Sequence, residues 1–167
     1  MAAPETRGPE QSGGVWASRQ YPLSVVGQDI PADLDAFRSI GEGRFPGLLG
    51  IEVLDVRRGA TRMRLPVEPK HIAPNGYLHA GAVVGLADTA CGYGCRTSLP
   101  EGAIEFTTVE LKTNFLGTAL GGSILCTARL VHGGRTTQVW DAEVTDEGSG
   151  KRIAIFRCTQ LILYPKD

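Results

Sequence analysis

The sequence predicts an α+β fold in which one antiparallel β-sheet wraps around one long central helix. Three observations carry that reading. From Ala80 to Cys95 the only charged residue is Asp88, in a stretch long enough for five helical turns when it is extended to Thr97. Four strand-like runs separated by glycine-rich turns follow it, and two more precede it. Four consecutive strands with short turns make an antiparallel sheet, and one long apolar helix must cover its face.

The bulk properties set the limits. A chain of 167 residues is one ordinary domain with room for a tail, and it buries enough surface to need no metal or disulfide staple. A net charge of −1 and a pI near 6.3 argue against a broad nucleic-acid or membrane-charge footprint. No run of about 18 apolar residues is present, so no transmembrane helix is expected. The start, Met1 to Arg7, is not followed by an apolar signal region. Cys91, Cys95, Cys126 and Cys158 form no Cys-x-x-Cys. They are expected to be small core residues rather than metal ligands, in a reducing cytoplasm. The 22 glycines have no three-residue period, which excludes collagen.

The elements follow in order. Residues 1–30 read as an N-terminal tail or extension and 31–167 as the domain. Residues 1–14 lack any hydrophobic period, while Trp16 and Tyr21 are able to dock on the body or on a partner chain. Asp33, after Pro31, starts a short helix with Leu34, Phe37 and Ile40 on one face, and Gly47 to Gly50 close that segment. Ile51–Arg57 is strand-like, Arg58-Gly59 turns the chain, and Thr61, Met63, Leu65 and Val67 alternate with Arg62 and Arg64. His71–Leu78 is a loop around Pro74-Asn75-Gly76. After the long helix, Val109, Leu111, Thr113 and Phe115 share one strand face, and Thr108, Glu110, Lys112 and Asn114 the other. Gly121-Gly122 turns into Ile124–Val131, Gly133-Gly134 into Thr136–Val144, and Glu147–Gly150 into Arg152–Tyr164.

Chemistry concentrates on the long helix. Asp88 lies among Val84, Leu86, Ala87, Ala90 and Cys91, where a carboxylate is costly unless it is hydrogen-bonded. Two readings stand: a structural carboxylate bonded to backbone or to a threonine such as Thr89, or a catalytic carboxylate of shifted pKa. The helix start, at His79-Ala80-Gly81, presents free N–H groups and the positive dipole end, which hold an oxyanion. Asp88 is about 12 Å further along the axis, so one acyl carbon cannot reach both groups of one helix. A site using both needs two chains with antiparallel helices, which predicts a homodimer with two shared sites. Gly81, Gly85, Gly92 and Gly94 cost helix stability and are expected to let the helix approach the sheet or a second helix closely.

At this point the chain resembles a known family. His79-Ala80-Gly81 followed by Gly85-Leu86-Ala87-Asp88-Thr89-Ala90 is similar to the His-Gly-Gly…Leu-Ala-Asp segment of hot-dog fold acyl-CoA thioesterases of the phenylacetate-pathway (PaaI-like) type. Val109–Leu116, the Gly134-Arg135-Thr136-Thr137 turn and the Ala154…Thr159 strand also match, over roughly residues 34–164. The resemblance implies hydrolysis of an acyl-CoA, with an aryl or medium-chain acyl group, to free acid and CoA. Asp88 matches the general base or nucleophile, Ala80 the backbone oxyanion donor, and His79 and Gly81 the residues that shape the turn. Asn75 and Gly76 are candidate substrate contacts, and Arg135 and Thr136 candidate CoA contacts. CoA is part of the substrate, so no separate cofactor and no metal is implied. The family's dimers often pair into tetramers.

The chain departs from the pattern in three places. Ala80 stands where glycine is usual. Ala73 stands where Asn or Gln is common, with Asn75 two residues on. Gly117-Thr118 replaces a frequent Arg-Pro. Two alternatives stay open: a non-catalytic acyl-CoA binding module that keeps the pocket, and an acyl-CoA hydratase or dehydratase using His79 and Asp88. No Gly-x-Ser-x-Gly, Rossmann or Walker pattern is present.

Overall fold

The computed structural model describes residues 34–166. The expected tail with Trp16 and Tyr21, and the helix start at Asp33, lie outside the described residues. Helix α1 (Leu34–Gly41) buries Phe37, as its spacing predicts. Helix α2 (Phe45–Leu49) occupies the segment expected only to close α1. Pro46 sits in the first turn of α2, where a missing N–H costs nothing.

Six strands form one sheet: β1 (Glu52–Arg57), β2 (Ala60–Pro66), β3 (Glu105–Phe115), β4 (Ser123–Gly133), β5 (Thr137–Asp146) and β6 (Arg152–Leu163). A single turn of 3-10 helix (Pro69–His71) and the helix α3 (Ala80–Thr97) lie between β2 and β3. Every neighbouring pair is antiparallel, and the order across the sheet is β1-β2-β4-β5-β6-β3. Gly121-Gly122 therefore does not close a hairpin. β4 pairs with β2 and β5, and the chain leaves β3 at one edge to cross to the middle of the sheet. Leu116 and Gly117 N–H groups bond to Ile153 O, and Val67 N–H to Gly122 O, which holds that crossing down.

One strand face differs from the period-two expectation. Thr108 pairs with Gln160 and Glu110 with Thr159, so Val109 is an extra residue, a β-bulge. Beyond it Leu111, Thr113 and Phe115 oppose Cys158, Phe156 and Ala154, whose side chains are buried toward α3. Before it Thr108 opposes Gln160, which is buried on that same face. The bulge thus turns Thr108 to the helix side, with Leu111, Thr113 and Phe115, rather than away from it.

The sheet curves over α3, and the core fills the space between. Met63, Leu65, Ile124, Trp140 and Val144 are fully buried against Leu86, Ala87, Ala90 and Cys91. The helix lies close because its glycines leave room. A Cβ on Gly94 would stand 2.6 Å from the Trp140 ring, one on Gly92 3.2 Å from Phe106, and one on Gly85 2.7 Å from Leu49 and 2.9 Å from Phe45. These three glycines admit the sheet and α2 of the same chain, so no second helix is needed to account for them. The far end of α3 is tied down too. Gln138 Nε2 donates to Ser98 O, Trp140 Nε1 donates to Gln138 Oε1, and the Gly59 N–H donates to Ser98 Oγ. Among the described residues, no helix is long and apolar enough to cross a membrane.

Candidate active site

The approach to α3 is a loop closed by its own hydrogen bonds. Ala73 N–H bonds to Tyr77 O and Gly76 N–H to Ala73 O, and Gly76 takes φ +84°, which only glycine adopts cheaply. Asn75 Oδ1 accepts from the Tyr77 N–H, so this oxygen is used in the turn. Behind the loop, buried His71 accepts the Glu68 N–H at Nδ1 and donates from Nε2 to Leu49 O. Its carbonyl then accepts the His79 N–H. The sequence offered no role for His71; it links α2 to the residue that caps α3.

The first turn of α3 leaves one amide unpaired. A helix start has four N–H groups with no partner inside the helix. The His79 N–H goes to His71 O, the Gly81 N–H to His79 Nδ1 at 2.8 Å, and the Ala82 N–H to His79 O. Ala80 N–H alone has no partner among the described residues, and Ala80 is exposed. Because His79 Nδ1 accepts, the neutral ring carries its proton on Nε2. A Cβ on Gly81 would come within 3.0 Å of that Nδ1, so this glycine preserves the cap. Ala80 lines an apolar cavity of about 340 Å³ with Tyr77, Leu78, Val83, Phe115, Gly117 and Thr118. Thr118 Oγ1 accepts the Leu78 N–H, which fixes the cavity wall.

Asp88 sits two turns along, half-buried. Its Oδ1 lies 3.2 Å from the Thr108 hydroxyl on β3, and Oδ2 has no partner among the described residues. Burial raises its pKa above the usual carboxylate range, and the Thr108 hydrogen bond offsets part of that shift. Thr89, the neighbour considered as a partner, instead donates to Gly85 O of its own helix at 2.6 Å. Thr108 was hidden from a sequence reading because only the bulge at Val109 brings it inward.

The remaining candidates lie elsewhere. Arg135 and Thr136 sit at the other end of α3, where Tyr164 Oη donates to Arg135 O and Ile162 N–H to Thr136 O. The Arg135 guanidinium lies over the Tyr164 ring, 5.3 Å from its centroid. That end of α3 is about 26 Å from Ala80 and about 14 Å from Asp88 along the axis. A larger cavity, about 710 Å³, is on the outer sheet face among Lys112, Arg129, Asp141 and Arg157, and touches neither Ala80 nor Asp88. Chemistry, rather than size, locates the site. The four cysteines are buried and free, and burial pushes Cys95 and Cys126 up to about 12, which makes them inert.

A helix start with one free amide, a half-buried acid two turns on and a six-stranded sheet around that helix define a class. The thioesterase superfamily pattern matches residues 75–153, from the loop through α3 into β6. A 1,4-dihydroxy-2-naphthoyl-CoA hydrolase of Listeria monocytogenes is 38% identical over 111 residues, which cover 66% of this chain and 89% of that protein. The acyl-coenzyme A thioesterase PaaI of Escherichia coli is 28% identical over 65% of this chain and 75% of its own length. A solved thioesterase of Pseudomonas aeruginosa superposes with a TM-score of 0.74 at 28% identity, covering 78% of this chain and 94% of that one. The chain belongs to the thioesterase superfamily and has its hot-dog architecture.

Proposed function

We propose that this chain hydrolyses an acyl-CoA thioester to the free acid and CoA, as a homodimer with two sites shared between subunits. The observation that carries this reading is the single unpaired amide of Ala80 beside an apolar cavity, in register with an acid of raised pKa about 12 Å away. In an antiparallel pair of helices, Asp88 of one protomer faces the partner's Ala80. The thioester carbonyl accepts the amide hydrogen bond, and that bond strengthens as the oxygen becomes an oxyanion. Asp88 takes a proton from water as the water oxygen attacks the acyl carbon. Collapse then breaks the C–S bond and expels the CoA thiolate, which takes the proton held by Asp88, leaves as thiol and returns Asp88 to its ionised form. In the alternative course Asp88 itself attacks, and water hydrolyses the resulting mixed anhydride.

The bare edge strand supports the dimer. β3 is an edge strand and exposes Val109, Leu111 and Phe115. A long apolar edge is a template for pairing, and a second copy of β3 covers it. Thr113 Oγ1, on the same strand, is the one buried side-chain oxygen or nitrogen among the described residues without a partner. Pairing of two such dimers into a tetramer belongs to the same proposal. With the chains antiparallel, Arg135 stands at the outer end of the partner's site, in reach of the CoA phosphates. The similarity to a bicyclic aroyl-CoA hydrolase favours an aryl over a medium-chain alkyl acyl group. The free, unreactive thiols accord with a reducing cytoplasm.

The test is release of free thiol from a panel of aryl and alkyl acyl-CoAs, wild type against Asp88→Asn. Hydrolysis by the wild type and its loss in the variant are expected. A wild type that binds acyl-CoA and hydrolyses none of the panel would replace this reading with the binding-module one.

A further inference from the structure

We propose that Thr108 and Gln160 are positioning residues for Asp88: Thr108 holds Oδ1, and the side-chain amide of Gln160 sets which way the Thr108 proton points. This rests on the reading of Asp88 as the reacting carboxylate. The Thr108 hydroxyl has one proton and two acceptor oxygens in range, Asp88 Oδ1 at 3.2 Å and Gln160 Oε1 at 2.9 Å. It serves one at a time. Gln160 is fully buried, and its Nε2 donates only to Cys158 Sγ, at 3.3 Å.

The chain Asp88–Thr108–Gln160–Cys158 has two complete hydrogen-bond patterns. In the one observed, Gln160 Nε2 points to Cys158 and Oε1 receives the Thr108 proton. Protonated Asp88 completes it by donating to Thr108 Oγ1. When Asp88 is ionised, that pattern leaves a lone pair facing an anion. Rotating the Gln160 amide by half a turn cures this. Nε2 then donates to Thr108 Oγ1, the hydroxyl donates to Asp88, and Oε1 accepts from the Cys158 thiol. A thiol and a hydroxyl each donate or accept, so in both patterns each of the four side chains keeps at least one partner, with one Gln160 N–H spare in either. Gln160 is the one member whose rotation selects between them.

Among the described residues, no other charge faces Asp88. On its own helix the titratable neighbours are Cys91 and Tyr93, both held neutral by burial. β6 contributes Cys158, and burial also keeps Cys126 on β4 and Cys95 further along α3 neutral. The inward residues of β1, β2 and β5 carry no titratable group, and neither does α2. In α1, Asp35 and Arg38 pair on the exposed side, and Arg44, just before α2, acts on Tyr93. On β3, Glu105 pairs with Arg96 two turns beyond Asp88, while Glu110 and Lys112 face outward.

The experiment titrates the Asp88 carboxyl by carbon-13 NMR and follows the acid limb of the kcat/KM pH profile, in wild type, Thr108→Val, Thr108→Ser, Gln160→Met and the double variant Thr108→Val/Gln160→Met. A hydrogen bond to a charged group is worth enough to move a carboxyl by about one pH unit. Thr108→Val is therefore expected to raise the Asp88 titration by about one unit, and Thr108→Ser to restore it. Gln160→Met is expected to raise it by less, and to have no effect once Thr108 is valine. An unmoved titration in Thr108→Val overturns the proposal. So does an equal Gln160→Met shift in both backgrounds, which would make Gln160 act on Asp88 directly or not at all. The NMR titration needs no activity, and Thr108→Ser and Gln160→Met stand in if Thr108→Val does not fold. Asp88→Asn assayed alongside separates the failures. A fully active Asp88→Asn overturns the functional reading itself, whereas an inactive one with an unmoved Thr108→Val titration overturns only this proposal.

Discussion

Asp88 was legible from its neighbours alone, because an acid inside an apolar helix has to be explained. Its environment makes two predictions. Its raised pKa means that ionisation is disfavoured in the folded state. The associated stability is fully present below the unfolded-state pKa of about 3.9 and is lost as pH rises through the higher native value. Asp88→Asn removes that loss. Its melting temperature is expected to exceed the wild type's at neutral pH, with the gap closing toward pH 4, while hydrolysis falls about 10²- to 10⁴-fold. Calorimetry at the two pH values checks the first part and thiol release the second. His79 was legible as a turn former but not as a cap. His79→Ala removes the acceptor of the Gly81 N–H and is expected to cost about 1 kcal/mol, or a melting shift of about 2–4 °C. An unchanged melting curve would show that the cap contributes nothing.

At the scale of elements, the apolar runs located α3 and five of the six strands closely, since long apolar runs leave little choice. It missed what irregularity creates. The bulge at Val109 shifts half of β3 by one residue, and no period-two reading of Thr108 to Phe115 reveals where the extra residue falls. That one residue decides whether Thr108 meets solvent or Asp88. The pairing of β3 with β6 was hidden for another reason: the glycines at 121 and 122 look like a hairpin turn, and a crossing connection uses the same residues. The helix glycines were legible as close approaches but not as to which partner they admit. Gly94 shows the answer. Trp140 is fully buried, and its ring is held through Nε1, so it cannot retreat from an added methyl group. Gly94→Ala is expected to destabilise the fold by about 1–3 kcal/mol through overpacking, although alanine favours a helix. Denaturant unfolding measures it, and a stabilised variant would contradict the tight seat of α3 on β5.

At the scale of the whole molecule, the proposed site needs two chains. A single protomer holds the amide and the acid at about 12 Å on one helix, too far apart for one acyl carbon. The exposed inner face of β3 is where a second copy is expected to add. Leu111→Lys places a charge on that edge and is expected to shift the protein toward a monomer of 17.8 kDa by light scattering, with activity lost in proportion. A monomer with full activity would sink the shared site. The fold class was readable from the order of the elements, and the family from the residues around His79 and Asp88. Ala80 was named as the donor only through the resemblance; that its N–H is free depends on which of four N–H groups the loop from His71 to His79 satisfies.

That amide permits the most direct test. Ala80 is the first residue of α3, where proline is well tolerated, and His79 before it already has the extended backbone that precedes proline, φ −66° and ψ 131°. Ala80→Pro therefore deletes one N–H and leaves the helix intact. If that N–H binds the oxyanion, kcat for acyl-CoA hydrolysis falls about 10²- to 10³-fold, with the melting temperature unchanged or raised. A folded Ala80→Pro variant with wild-type kcat would contradict the account.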